Sequence, residues 1–343
     1  MNEIRDSAVD TAERMLVDMC TAAEVNAADH GGLAVDLWKA VETCGLHRVC
    51  LAEEEGGVGL SLAEGLPIVR TFARYAAPVP IAEALLASVL LKSAKLAMPE
   101  GVVTVAETKV LLSQHATGMA CAPFARHATH VVLWHPEGNQ LRVALLNVEG
   151  IPLKPGENMA GEPRDMLDLR NVPLAGTGIA HMDAEDLLAQ GALLRSAQLV
   201  GAMEKILDLA HEHVTTRVQF GRPLSAFQAI QHSLVIAIGE SAAARAAVEA
   251  AGAVSGDTVP ILAVATAKIR AGTAGTIVAR VAHQSLGAMG YTHEHSLHQY
   301  TRRIWAWRDE FGRETDWARR LGAVARSKTP EEIWKWITEE RVA

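Results

Sequence analysis

The chain has no excess of basic residues and no Lys/Arg cluster: 32 Lys and Arg stand against 40 Asp and Glu, a formal net charge of -8. Nucleic acid as the main partner needs a basic face to neutralise phosphates, so that class is set aside, while a local anion site stays open. Cysteine is scarce. The four present, Cys20, Cys44, Cys50 and Cys121, show no CxxC spacing, and 343 residues are enough to fold without disulfide staples. Reduced, structural thiols are expected. Also missing are an opening segment with a basic start, an apolar stretch and a small-residue cleavage site, and any run near the roughly 18 apolar residues of a membrane span. A cytoplasmic protein with no membrane span is the expectation. No internal repeat and no low-complexity linker is visible.

What is there is a globular composition, 49% hydrophobic and 21% charged. At roughly 100 to 200 residues per domain, the length implies two or three domains. The first hundred residues carry apolar positions at helical spacing, from Met15, Met19, Ala22 and Ala23 to Leu33, Val35, Leu37 and Trp38. Glu54-Glu55-Gly56-Gly57-Val58-Gly59-Leu60 interrupts them with a glycine turn, and Pro78 and Pro80 with a second loop. From Val102 the texture is that of strands: Val102–Val105, Val131–Trp134 and Leu141–Leu146, with the turn signal Pro136-Glu137-Gly138-Asn139 between the last two. Helical texture returns from Asp183 to Arg217 and from Phe227 to Ala251. A third helix is expected near Pro260, capped by Asp257 or Thr258. The layout is mainly α with a small middle β domain: residues 1–100 helical, 101–182 β, 183–343 a helical bundle.

The most specific local signal is Arg217-Val218-Gln219-Phe220-Gly221-Arg222-Pro223-Leu224-Ser225-Ala226-Phe227-Gln228, where one long helix ends and another starts. A second is Gln284-Ser285-Leu286-Gly287-Ala288-Met289-Gly290-Tyr291-Thr292. Arg217 offers a planar donor fork suited to a pyrophosphate, with Phe220 and Gln228 as an apolar wall and a hydrogen-bonding partner. Gly287, Ala288 and Gly290 let backbone amides approach a phosphate or adenine closely. Both segments, in this order and separation, resemble the signatures of the acyl-CoA dehydrogenase family, and the early glycine loop resembles that family's N-terminal loop. The resemblance covers nearly the whole chain. It implies an N-terminal helical domain, a middle β domain and a C-terminal four-helix bundle, with flavin adenine dinucleotide (FAD) between the last two. It also implies that Arg217, Phe220, Gln228, Gln284, Gly287, Ala288 and Gly290 reach a dinucleotide whose ring lies against a neighbouring subunit. An acyl-CoA substrate and an electron-transfer flavoprotein as acceptor follow from the same resemblance.

The family's reaction needs a carboxylate to take the proton beside the thioester carbonyl. Anchoring on Gly312 in Trp307-Arg308-Asp309-Glu310-Phe311-Gly312-Arg313 puts Phe311 at the family's catalytic position and Glu310 one residue away, the candidate base. The alternative position, seven residues ahead of Gly201 on the long helix, is Leu194. In the β region, Ala120-Cys121-Ala122-Pro123-Phe124-Ala125-Arg126 stands where the family has its flavin-ring contacts. The parts that reach a neighbour are kept and those that serve the chain's own chemistry have changed, which resembles the shorter chain of heteromeric acyl-CoA dehydrogenases. His211 and His213, with His293, His295 and His298, have spacings compatible with metal ligation, yet no acidic or cysteine partner completes a set in sequence, and no metal site is expected.

Three readings stay open: a flavin-supporting subunit of a heteromeric α,β-desaturating enzyme, a non-catalytic subunit that keeps the fold for assembly, and a complete homo-oligomer with Glu310 as base. The first two need a partner and the third a homodimer or tetramer. Ile261–Ala265 and Ile277–Ala279 are expected to pack on both the chain's own bundle and a partner's. Sedimentation at micromolar concentration should show species heavier than the 36.7 kDa chain, alone or with a partner chain; a single 36.7 kDa species that no partner shifts would exclude all three.

Overall fold

The computed structural model describes residues 2–111, 115–255 and 260–338, so the capping expected of Asp257 and Thr258 lies outside the described residues. Chain contacts separate two compact units, Met1–Phe72 with Ala77–Gln190, and Ala73–Ala76 with Gly191–Ala343.

The first unit opens with helices α1 (Asn2–Met19), α2 (Ala22–Ala27), α3 (Val35–Thr43), α4 (Leu62–Arg74) and α5 (Ile81–Ser93). Two of them begin at reciprocal caps. The Thr21 and Glu24 side chains and backbone amides bond each other ahead of α2, and Ser61 and Glu64 do the same ahead of α4. The glycine loop between α3 and α4 is tight: Gly56 and Gly59 are left-handed, and a Cβ on Gly57 would overlap the Leu51 and Arg48 carbonyls. Helix α5 is buried on every side from Ile81 to Leu91 apart from Val89, as expected of a helix apolar all round.

Strands follow as β1 (Val103–Glu107), β2 (Val110–Leu111), β3 (His115–Thr117), β4 (Met119–Pro123), β5 (His130–Glu137), β6 (Gln140–Asn147), β7 (Leu153–Lys154), β8 (Arg164–Asp168), β9 (Val172–Pro173) and β10 (Gly176–Ala180). The largest sheet has the order β1-β5-β6-β10, with β1 parallel to β5 and the other pairs antiparallel. Its β5–β6 hairpin turns on Gly138 and Asn139, as the turn signal implied, with Glu137 paired to Gln140. Smaller sheets run β4-β8-β7 and β2-β3-β9. Val131, Leu133, Ala144, Leu146 and Leu167 form the core between them.

The second unit is helical: α6 (Ala184–Thr216), whose first residues belong to the first unit, then α7 (Gln228–Ala253), α8 (Ile261–Leu286), α9 (Leu297–Asp309), α10 (Glu314–Arg326) and α11 (Pro330–Thr338). A small hairpin of β11 (Val218–Gln219) and β12 (Arg222–Pro223) joins α6 to α7. Helix α8 lies at the centre because it is built of small residues. A Cβ on Gly275 would press on Ile304 of α9 and one on Gly272 on the Glu314 side chain of α10, so both neighbours approach its backbone closely.

The segment Ile261–Tyr291 has the length and apolar composition of a membrane-crossing helix, a test that a core helix also passes, and 56% of its most apolar window is buried inside the protein. In α8 Ala263, Val264, Ala265, Val278 and Ala279 are buried and Ile261, Leu262 and Ile277 half-buried, while α7 exposes Val235, Ile236 and Ile238. None of the four cysteines is in a disulfide. Cys20 and Cys50 are buried, the Cys50 thiol being pushed up to about 12 by burial, whereas Cys44 and Cys121 are exposed and make no core.

In the β region Asp165 is wholly buried and accepts from the Arg126 backbone amide, from two guanidinium nitrogens of Arg126 at 2.9 and 2.6 Å, and from the Gly156 amide. Asp165→Ala would leave the mostly covered Arg126 guanidinium with only the Gly156 carbonyl and the more distant Glu157 carboxylate. We expect a loss of about 3–5 kcal/mol, read as a fall of roughly 10 °C or more in melting midpoint; a shift under about 2 °C would show the pair to be dispensable.

Candidate functional site

The expected dinucleotide residues fall into two surface groups of the second unit. Arg217 follows the last turn of α6, and its carbonyl accepts from the Leu224 amide, closing the β11–β12 hairpin. At the hairpin tip Phe220 is left-handed and 90% exposed. Its ring meets Phe227 edge-on at 6.1 Å, and the Arg222 guanidinium stacks over Phe227 at 4.1 Å. Gln228 opens α7 with its side chain in solvent. The second group ends α8. Gln284, Gly287 and Ala288 are exposed, while Gly290 is buried against Leu286 and Leu297. Gly287 has φ +61° and ψ -140°, a backbone that needs glycine, and open space where a Cβ would stand.

The pKa of His213, in the last turn of α6, is lowered first by burial, then by His295 and by Arg217. A dinucleotide fits this arrangement only from outside. Six of the seven expected contacts face solvent, an arginine fork and an exposed phenyl among them, so the residues suit a group held largely by another chain.

Glu310 belongs to neither group. It follows α9, and one of its carboxylate oxygens, Oε2, accepts from Arg195 Nε at 2.8 Å and from a terminal guanidinium nitrogen at 2.7 Å. Arg195 is 2% exposed and also donates to Gln198 Oε1. Both bonds fall on Oε2, so the carboxylate is held as the counter-ion of Arg195. Phe311 is left-handed, its ring lies in the notch left by the missing Cβ of Gly191, and Arg195 stands over that ring at 5.6 Å. The Trp317 indole N–H donates to the Phe311 carbonyl at 3.0 Å, and Gly312, at φ +90°, leaves room for that indole.

Next to this turn is a cation that the sequence reading did not single out. Lys268 on α8 is 1% exposed and donates to the carbonyls of Arg308 at 2.6 Å and Trp307 at 3.3 Å, at the negative end of the α9 dipole. Burial lowers its pKa to about 8, Glu314, Glu310 and Asp309 opposing the shift and Arg195 adding to it. Arg195 and Lys268 were visible as single charges inside apolar helical runs, Leu193-Leu194-Arg195 and Ala265-Thr266-Ala267-Lys268. Such a charge is buried only when paired, and the sequence does not show which face closes over it.

Residues 177–312 match the acyl-CoA dehydrogenase C-terminal domain. The chain is 27% identical over 334 residues to the acyl-CoA dehydrogenase IpdE2 of Mycolicibacterium smegmatis, covering 94% of this chain and 99% of that protein. Among solved structures it is similar to the ChsE4–ChsE5 complex from Mycobacterium tuberculosis, with TM-score 0.85, 20% identity and coverage of 96% and 99% of the two chains. It is also similar to a variant of the Tcur3481–Tcur3483 steroid ACAD, with TM-score 0.83, 21% identity and coverage of 95% and 98%. At these identities the structural likeness establishes the fold.

Because burial holds the folded-state pKa of Lys268 near 8 against 10.5 in the open chain, the ammonium penalises the folded state fully below pH 8. Between those values the unfolded chain binds the extra proton, so stability rises with pH. Lys268→Met removes this dependence. The stability difference between the parent and Lys268→Met, from urea unfolding at several pH values, should move in favour of the parent by on the order of 3 kcal/mol across that window; a pH-independent difference would refute the assignment.

Proposed function

We propose that this chain, which has the acyl-CoA dehydrogenase fold and carries that family's C-terminal domain over residues 177–312, is the flavin-supporting subunit of a heteromeric acyl-CoA dehydrogenase. The three-part division at residues 1–100, 101–182 and 183–343 is kept as part of this reading. The observation that carries it is the exposure of the dinucleotide residues together with the occupation of Glu310 by Arg195.

When bound, FAD supplies the hydride acceptor for α,β-desaturation of an acyl-CoA thioester. This chain's part is to hold its dinucleotide end. Arg217 offers paired N–H donors to the pyrophosphate, Phe220 covers an apolar face, and Gln228 and Gln284 offer amide hydrogen bonds. The bare backbone at Gly287, with Ala288 and Gly290 beside it, admits close approach. A phenyl ring left 90% exposed is poorly placed in water, and a cofactor or partner that covers it contributes apolar burial of about 1.5–3 kcal/mol. The proton is then taken by a base on the partner, because the carboxylate nearest the family's position is the counter-ion of Arg195. An electron-transfer flavoprotein is the proposed acceptor. A steroid-type thioester is the first to screen, since one similar structure is a steroid ACAD.

The exposed apolar residues of α7, Val235, Ile236 and Ile238, support a subunit contact. A non-catalytic scaffold would share that surface but not the fork at Arg217. In the assembled complex Arg217→Ala should weaken flavin retention by roughly 10-fold or more, the value of a charged hydrogen bond; unchanged retention would favour the scaffold. Glu310→Gln separates the complete homo-oligomer, for which turnover should drop by at least about 100-fold, from the proposed subunit, for which the drop should be much smaller.

A further inference from the structure

Strands β4 and β8 turn one face to the core of the first unit and one outward. Ala120, Ala122, Asp165 and Leu167 are buried on the inner face, and the alternation places Met119, Cys121 and Met166 on the outer one. All three are exposed, Met119 at 51% and Met166 at 36%. The register makes Cys121 and Met166 direct cross-strand partners, and Met119 is the adjacent residue on the same face of β4. Direct partners have Cβ atoms about 5 Å apart and successive same-face residues of a strand stand about 7 Å apart, so two flexible thioether arms and a thiol can meet around one ion. The water-covered face of an antiparallel sheet is ordinarily polar. Here three sulfur side chains stand together on it, although the whole chain has only four cysteines and ten methionines in 343 residues.

Hard cations are poorly served on this face. The register brings a carboxylate, Asp168, opposite Met119, but Arg170 holds both of its oxygens, and opposite Met166 stands Lys154, a positive charge. We propose that Met119, Cys121 and Met166 form a binding site for one soft cation of the Cu(I) type, because a thiolate and two thioethers are the donors that select it. On binding, the Cys121 thiol gives its proton to solvent and each thioether sulfur donates a lone pair, so no electron changes hands and no oxidant is needed. The donors are assembled by the pairing of β4 with β8, which is why the sequence shows no local ligand motif. The site lies within the first unit and needs neither a flavin nor a partner chain.

Anaerobic titration of the full chain with Cu(I), in competition with the chelator bathocuproine disulfonate, counts the bound ions and ranks their affinity. The parent chain should hold one Cu(I) and release a proton as it binds. Losing even a hydrogen-bonding neighbour of a ligand costs roughly 10–100-fold in metal affinity, so Cys121→Ser, Met119→Leu and Met166→Leu should each weaken binding by at least about 10-fold. The two methionine variants keep apolar volume at exposed positions, so their melting midpoints should match the parent's. Cys44→Ser removes the other exposed thiol and should leave the bound ion in place. A parent chain that holds no Cu(I) against the chelator overturns the site. Parent-like affinity in both methionine variants overturns it as well, since the ion would then be held by a thiol alone, and so does loss of the ion in Cys44→Ser.

Discussion

Two buried cations, Lys268 and Arg195, set the structure of the second unit around α9 and α10. A charge taken out of water costs several kcal/mol unless it is paired and hydrogen-bonded. Lys268 is compensated by the carbonyl end of α9 and by the acidic side chains around it, Glu314 foremost. Arg195 is compensated by Glu310, by Gln198 and by the face of Phe311. Each of these partners stands at or beside the chain reversal from Asp309 to Glu314, except Gln198 on α6 itself. The reversal is therefore held from α6 and from α8 at once, and its left-handed Phe311 and Gly312 are what let it satisfy both.

The same compensation bears on chemistry. A carboxylate can serve as a general base or as the counter-ion of a buried cation, and Arg195 bonds Oε2 of Glu310. The outward-facing groups differ in kind, since Phe220, Gln228, Gln284, Gly287 and Ala288 lie on the surface and impose nothing on the interior.

The β region shows a parallel replacement. Where the family resemblance implies contacts to a flavin ring, the strand β4 ends in a left-handed Phe124 and a short turn from Ala125 to His127. The turn is fastened by Arg126 to the buried Asp165 of β8 and to the Gly156 carbonyl. Its polar groups are satisfied within the first unit, as the low-dielectric surroundings of Asp165 require.

Local signals carried a large share of the outcome. Alternating and β-branched runs gave β1, β5 and β6 within three residues at either end, Gly138-Asn139 gave the β5–β6 hairpin, and Pro260 marked the start of α8, because each depends on neighbours close in sequence. The surface motifs around Arg217 and Gly287 were legible for the same reason: each is one contiguous turn. What could not be read was decided by contacts across the chain. Glu310 was recognisable as an offset carboxylate, but its partner Arg195 is 115 positions away, and Lys268 meets the carbonyls of Trp307 and Arg308 only because the glycines of α8 let its neighbours come close. Helix α8, expected to pack on its own bundle and on a partner, buries Ala263, Val264 and Val278 in its own chain and leaves Ile261, Leu262 and Ile277 half-buried, a division that apolar content alone does not give. Local sequence fixes which backbone a segment adopts; which of its charges is free to react depends on the packing of segments far apart in the chain.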